Sequence, residues 1–225
     1  LDLIFTNVAQ NTVSVRLNTG SIGSLSFAAK NDFSTGNGTV AVAFGDIDMD
    51  GKPELAVVNV NVAQLMVLRN TSAVGSASFA GQITYTTGAN PSIVKIGDLD
   101  GDGKPEVVVA NGGSNTLSVF HNTNTVLGTL SLAVKADFES GSSSSVAIGD
   151  IDGDGKPDLI SSVTSVLRNT STVGTLGFAT KVDLIAGSGP RSVAIGDLDG
   201  DGKPDIAVAN NGASTVSVIR NNPKS

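Results

Sequence analysis

Asp46-Ile47-Asp48-Met49-Asp50-Gly51-Lys52-Pro53-Glu54 is the stretch on which the fold turns, because the chain writes it four times. It returns as Asp98-Leu99-Asp100-Gly101-Asp102-Gly103-Lys104-Pro105-Glu106, then as Asp150-Ile151-Asp152-Gly153-Asp154-Gly155-Lys156-Pro157-Asp158. The last copy is Asp197-Leu198-Asp199-Gly200-Asp201-Gly202-Lys203-Pro204-Asp205. The four starts lie 52, 52 and 47 residues apart. A period of that length marks a stacked or radial repeat, in which each unit buries its faces against its neighbours.

Working outward, each copy is flanked by short apolar runs. Val40-Ala41-Val42-Ala43-Phe44, Ile93-Val94-Lys95-Ile96, Val146-Ala147-Ile148 and Val193-Ala194-Ile195 precede the four loops. Leu55-Ala56-Val57-Val58, Val107-Val108-Val109-Ala110 and Ile206-Ala207-Val208-Ala209 follow three of them. A turn rich in Asn, Gly and Ser then leads to a third run, such as Thr116-Leu117-Ser118-Val119-Phe120 or Thr215-Val216-Ser217-Val218-Ile219. A connector, Asn70-Thr71-Ser72-Ala73-Val74-Gly75 or Asn169-Thr170-Ser171-Thr172-Val173-Gly174, leads to a fourth around Tyr85, Phe138 or Leu184. Short β-rich runs between turn residues are strands joined by hairpins, not helices.

Calling these strands A to D, with the acidic loop between A and B, the expected fold is all-β. Four antiparallel strands in about 50 residues match one blade of a β-propeller. The reading is one repeat domain over residues 1–225, with units 1–53, 54–105, 106–157 and 158–204 and a partial unit 205–225. The unit that follows the third loop is short because Ile160-Ser161-Ser162-Val163-Thr164 runs almost straight into its strand C. Residues 1–38 supply B, C and D without A, and residues 191–225 supply A, B and C without D. Open edges accept strands, so further blades of a longer parent chain, or other copies joined head to tail, are the expected partners.

Bulk composition narrows the function. No apolar run reaches the roughly 18 residues of a membrane span. There is no cysteine or tryptophan and only one tyrosine, which removes disulfides, thiolate chemistry and most stacking platforms. The net charge of −7 is local: sixteen of the 21 acids lie in the four loops, and only Asp2, Asp32, Asp137, Glu139 and Asp183 lie outside. With no basic stripe, nucleic acid is an unsuitable partner.

Three carboxylates at alternate positions converge only if the backbone curls round a point, and unneutralised they repel one another. Glycine at position 6 permits the curl, the carbonyl at position 7 can turn inward, and the acid at position 9 can offer both oxygens. Six or seven hard oxygens suit Ca²⁺, whereas Mg²⁺ keeps more water and zinc prefers nitrogen or sulfur. An EF-hand fails because its twelfth position should be glutamate and is here Val57, Val109, Ser161 or Val208.

With its four loops in phase and Phe44-Gly45-Asp46 opening the first, the chain resembles the FG-GAP/VCBS repeat family across essentially its whole length. That family forms the calcium-bearing blades of integrin α-subunit propellers and of many bacterial surface and secreted proteins. The resemblance implies one calcium ion per loop, four in all, held at positions 1, 3, 5 and 9 and by the position-7 carbonyl. In this chain those are Asp46, Asp48, Asp50, Lys52 and Glu54; Asp98, Asp100, Asp102, Lys104 and Glu106; Asp150, Asp152, Asp154, Lys156 and Asp158; and Asp197, Asp199, Asp201, Lys203 and Asp205. Family propellers usually have about seven blades, so four loops are a departure.

His121, the only histidine, aligns with Arg69, Arg168 and Arg220 and reads as a variant of a repeated surface position. Phe27, Phe79 and Phe178 recur at one blade position and read as packing between blades. Asn37, Asn70 and Asn169 stand in N-x-S/T sequons, and Asp183 reads as an isolated acid on an outer strand. No catalytic constellation lies outside the loops, so no enzyme is expected. The expected function is an extracellular or cell-surface calcium-stabilised scaffold for adhesion or assembly, self-assembling into a filament if the ends pair. The alternatives are a propeller that recognises a sugar or protein ligand, or an accessory domain of a larger secreted enzyme.

Overall fold

A computed structural model describes residues 2–221. Five antiparallel sheets follow one another along the chain. The first holds β1 (Leu3–Asn7), β2 (Thr12–Arg16) and β3 (Asn31–Ser34). The second holds β4 (Thr39–Gly45), β5 (Glu54–Asn59), β6 (Gln64–Asn70) and β7 (Phe79–Thr86). The third is β8 (Pro91–Gly97), β9 (Glu106–Asn111), β10 (Thr116–Phe120) and β11 (Ala136–Glu139). The fourth is β12 (Val146–Gly149), β13 (Asp158–Ser161), β14 (Ser165–Leu167) and β15 (Val182–Asp183). The fifth is β16 (Pro190–Gly196), β17 (Asp205–Asn210) and β18 (Thr215–Ile219). The only helix among the described residues is a 3₁₀ turn at Val8–Gln10.

Three sheets therefore have the strand order A-B-C-D, and the two outer ones have three strands each. Because the repeat units of the sequence end within or just after the acidic loops, each contributes strands B, C and D to one sheet and A to the next. The shortened repeat after the third loop makes its B–C turn through Thr164, at φ +63°.

Period-two alternation explains how the sheets hold together. Along β5, Leu55 and Val57 enter the core shared with the first sheet, while Ala56 and Val58 enter the core shared with the third. Along β9, Val107 and Val109 face back to the second sheet, and Val108 and Ala110 face forward to the fourth. In β13, Leu159 faces back and Ile160 forward. Strands B are apolar at successive positions because both faces are covered, which alternation against water would not permit. Each such fully buried Val or Leu contributes about 1.5–3 kcal/mol. Strands D pack less: β7 is mostly exposed along its length.

Strands A stack on one another, β4 against β8, β8 against β12 and β12 against β16, and β4 also meets β1, the strand B of the first sheet. This contact accounts for the glycine before the first and third aspartate loops. A Cβ on Gly45 would stand 2.8 Å from Ile96 Cγ2, and one on Gly149 would stand 3.3 Å from Ile195 Cδ1. Ile96 and Ile195 sit on the following sheet, so a side chain at these glycines would push neighbouring sheets apart. Phe79 meets Phe33 of the first sheet edge-on at 4.9 Å, and Phe178 meets Phe138 of the third in the same way. Two of the three recurring phenylalanines thus pack between sheets. Phe27 is half-buried and bridges to Asn18 within its own hairpin.

Candidate metal centres

Each acidic loop is wound by its own carboxylates before any ion is considered. The position-1 aspartates Asp46, Asp98, Asp150 and Asp197 accept the amide of the position-6 glycine at 2.8–3.1 Å. Those glycines, Gly51, Gly103, Gly155 and Gly202, lie at φ +83° to +89°, where a side chain would be strained. Position 3 accepts the amide of position 5 at 3.1–3.2 Å. Position 5 accepts the amide of the lysine at position 7, Lys52, Lys104, Lys156 or Lys203, at 2.9 Å. The carboxylates are thereby turned to one side of the backbone.

Oxygens of Asp46, Asp48 and Asp50 gather within 4.8 Å of one another, as do those of Asp98, Asp100 and Asp102. In the third loop the group is Asp150, Asp152 and Asp158, and in the fourth Asp197, Asp199 and Asp205. Positions 1 and 3 meet in every loop, joined by position 5 in the first two and by position 9 in the last two. Glu54, Asp154 and Asp201 stand outside these groups, and Glu106 gathers instead with Asp100 and His121. Asp46 Oδ1 is buried and accepts no hydrogen bond. Met49 occupies position 4 of that loop, where glycine amides of the other three donate to the position-1 aspartate at 2.7–2.8 Å. An orphaned carboxylate oxygen inside an acidic ring fits a hard divalent cation.

The acid at position 9 has a second use that its place in the repeat did not reveal. Glu54, Glu106, Asp158 and Asp205 are buried. One oxygen accepts the position-2 amide at 2.8–3.0 Å, and the other accepts the amide of an asparagine at the end of strand C, at 2.7–3.3 Å. It ties the loop to the sheet with both oxygens, leaving their remaining lone pairs for an ion. Burial pushes the Glu54 and Asp158 carboxyls up, and pushes Glu106 up to about 7, with the charges of Asp100 and Asp102 adding to the effect. Asp197 is held below the usual carboxylate range by the Gly202 amide, with smaller contributions from neighbouring amides.

Those asparagines also clamp one sheet to the loop of the sheet before. Asn122 Nδ2 donates to the Ile47 carbonyl at 2.9 Å, Asn169 to Leu99 at 2.7 Å and Asn221 to Ile151 at 2.5 Å. Asn124 adds a donor to Ile47, and Gly128 N–H reaches Asp48 O at 2.8 Å. The sequon at Asn169 is therefore closed in the folded chain: its amide is buried and donates twice. Asn70 is likewise buried, donating to Pro53 O at 2.8 Å, whereas Asn37 is exposed.

The residue before each clamp faces loop position 3. Arg69 meets Asp48, His121 meets Asp100, Arg168 meets Asp152 and Arg220 meets Asp199. His121 is thus part of the loop environment and not the surface variant expected of it; the Arg/His-Asn dipeptide at the end of strand C was the available clue. Asp183 is not isolated either. Lys181 pairs with it and Ser165 Oγ donates to its Oδ1 at 2.5 Å, which together lower its pKa. Asp32 and Asp137 are held in the same way by Lys30 and Ser14 and by Lys135 and Ser118.

The profile described as FG-GAP-like repeat matches residues 1–57, 50–109 and 98–161, and the one described as FG-GAP repeat matches residues 189–219. No curated protein matches the chain significantly. Among solved structures, the biofilm matrix protein Bap1 of V. cholerae is similar at 13% identity and a TM-score of 0.55, over 98% of this chain and 37% of that one. A functionally unknown protein from Desulfotomaculum acetoxidans is similar at 13% identity and a TM-score of 0.59, over 97% of this chain and 65% of that one. At these identities the likeness concerns the fold, and the chain spans less than two thirds of either protein. Four loops of one sequence, wound alike between the first two strands of successive sheets, and profile matches over most of the length lead to one statement: the chain belongs to the FG-GAP repeat family.

Proposed function

We propose that the chain is a non-enzymatic, calcium-stabilised extracellular scaffold for adhesion or assembly, with its sheets arranged as propeller blades and one Ca²⁺ in each of the four loops. The observation that carries this is the loop itself. Carboxylates from positions 1 and 3, with 5 or 9, converge in every copy, and the first copy holds a buried oxygen without a partner. The ion would be held by the side chains at positions 1, 3, 5 and 9 and by the carbonyls of Lys52, Lys104, Lys156 and Lys203. It would supply charge neutralisation rather than chemistry. Repetition of one site four times, with the position-9 acid built into the sheet, fits a structural role.

An extracellular setting is supported by the millimolar calcium found there, which fills loops of modest affinity. The biofilm matrix protein of similar fold accords with it. No helix is long and apolar enough to cross a membrane. The outer edges of β1 and β18 take no strand among the described residues, and further strands, from a longer parent chain or from a second copy, would add there.

The test is a melting curve of the metal-stripped protein, then with Ca²⁺ or Mg²⁺ restored. With ion at tenfold its Kd, four independent sites contribute about 6 kcal/mol. Chelation should therefore lower the Tm by 10 °C or more (about 2–4 °C per kcal/mol at this size), and calcium should restore it far better than magnesium. A Tm indifferent to chelation would overturn the reading.

A further inference from the structure

One of the four loops differs from the others at the residue that faces position 3. In the first loop Arg69 Nε donates to Asp48 Oδ2 at 2.6 Å. In the second, His121 stands in place of arginine, and its Nε2 lies 3.0 Å from Asp100 Oδ2. Both atoms are sealed from solvent, yet neither is placed to hydrogen-bond the other or anything else. The other oxygen of Asp100 accepts the Asp102 amide at 3.1 Å, so the side chain is anchored with Oδ2 left over. The Asp100 side chain is fully buried. Glu106, also fully buried, brings a third donor, and all three donor atoms lie within 4.8 Å of one another.

The spacing carries chemical information. Two ligands at right angles, each ~2.1 Å from one ion, stand ~3.0 Å apart, as in a tetragonal Cu²⁺ site, and tetrahedral ligands of Zn²⁺ stand ~3.4 Å apart, a small adjustment of the same pair. Calcium binds oxygens at longer range and has no use for an imidazole nitrogen. Replacing guanidinium by imidazole also removes a fixed positive charge from beside Asp98, Asp100, Asp102 and Glu106, leaving Lys104 as the cation paired with Asp102.

We propose that Asp100 Oδ2, Glu106 and His121 Nε2 form a site for a divalent transition-metal ion of the Zn²⁺ or Cu²⁺ class, which competes with calcium for the second loop. The site borrows Asp100 and Glu106 from that loop and so rests on reading it as a cation site.

His121 is the only histidine and there is no cysteine, so imidazole coupling in the Cu²⁺ electron paramagnetic resonance spectrum of tag-free protein has one source. The wild type should bind one Cu²⁺ with nitrogen coupling, and Zn²⁺ at least tenfold more tightly than His121→Arg, which carries the residue that faces the other three loops. Asp100→Asn should lose the same binding. In excess Zn²⁺ the calcium stoichiometry should fall from four to three. Nitrogen coupling unchanged in Asp100→Asn would mean a lone histidine and would overturn the site, as would equal Zn²⁺ affinity in His121→Arg. If the resonance signal appears but no calcium binds, the calcium reading fails and this site stands. Should His121→Arg not fold, His121→Gln replaces it with the same expectation.

Discussion

Asp48 and Asp100 lie buried in the first two loops, whereas Asp152 and Asp199, at the same position of the last two, are exposed. The four sequences are nearly identical, so the difference comes from what covers them. Over the first loop lies the hairpin after β10, which places Asn122, Asn124 and Gly128 on it. Over the second lies the hairpin after β14, with Asn169 on Leu99 and with Ser171, Thr172 and Val173 lining a cleft against Asp98 and Asp100. The third loop receives Asn221 alone, and the fourth nothing, among the described residues. Burial of a loop is thus the work of the following sheet, and identical motifs acquire different electrostatics from their place in the order.

The sharpest way to separate the covered loops from the open ones is acidity in the absence of metal. Glu106 has a pKa near 7 in the folded chain against 4.5 for an ordinary glutamate. A raised carboxyl pKa gives stability that is fully present below pH 4.5 and lost as the pH climbs to 7, about 3 kcal/mol for this group. Metal-stripped protein should melt higher at pH 5 than at pH 7.5, and Glu106→Gln should flatten that slope. Calcium should reverse the trend, since the ion needs the charged carboxylate. A stripped protein that gains stability between pH 5 and 7 would contradict the assignment.

A smaller effect is expected from deleting position 3 in the metal-stripped protein, where loss of an ion does not enter the comparison. Asp48→Ala leaves Arg69 without its buried partner and should cost about 2–3 kcal/mol by denaturant melt. Asp199→Ala, in the open fourth loop, should cost under about 1 kcal/mol. Equal losses would show that the cover has no energetic consequence. Removing the cover's own anchor comes next. Asn169→Ala strands the Leu99 and Pro157 carbonyls and should cost about 1.5 kcal/mol, with hydrogen exchange quickened in the second loop and unchanged in the fourth. Last, Asp183→Ala on the exposed outer strand should move the melt least of all, because Lys181 returns to water and only the buried Ser165 hydroxyl loses an acceptor.

Much of this was legible before any coordinates. The apolar runs beside each loop became strands, and the run around Val107 became β9 because every residue in it needs a covered face. The fourth strands were less clear: β11 spans Phe138, but β15 stops at Asp183, short of Leu184, since an outermost strand is held on one side only. Loop winding could be read from the glycine at position 6. The clamps could not. Asn122 lies 75 residues from Ile47 in the chain, and a local pattern says nothing of which distant carbonyl an amide will meet. For the same reason His121 looked like a surface substitution until the sheets were stacked.

The clamps point in one direction only, from each sheet to the loop of its predecessor, and this gives the array a polarity. Under a stretching force, a sheet peeled from the β18 side takes with it the lid of the loop before it. That loop is opened to water, and a cation held there would then exchange. A sheet peeled from the β1 side leaves the lid of its own loop behind on the next sheet, and the remaining loops keep their covers. Force applied at one end should therefore open loops in sequence, while the same force at the other end releases whole sheets with the loops of the remaining sheets still covered.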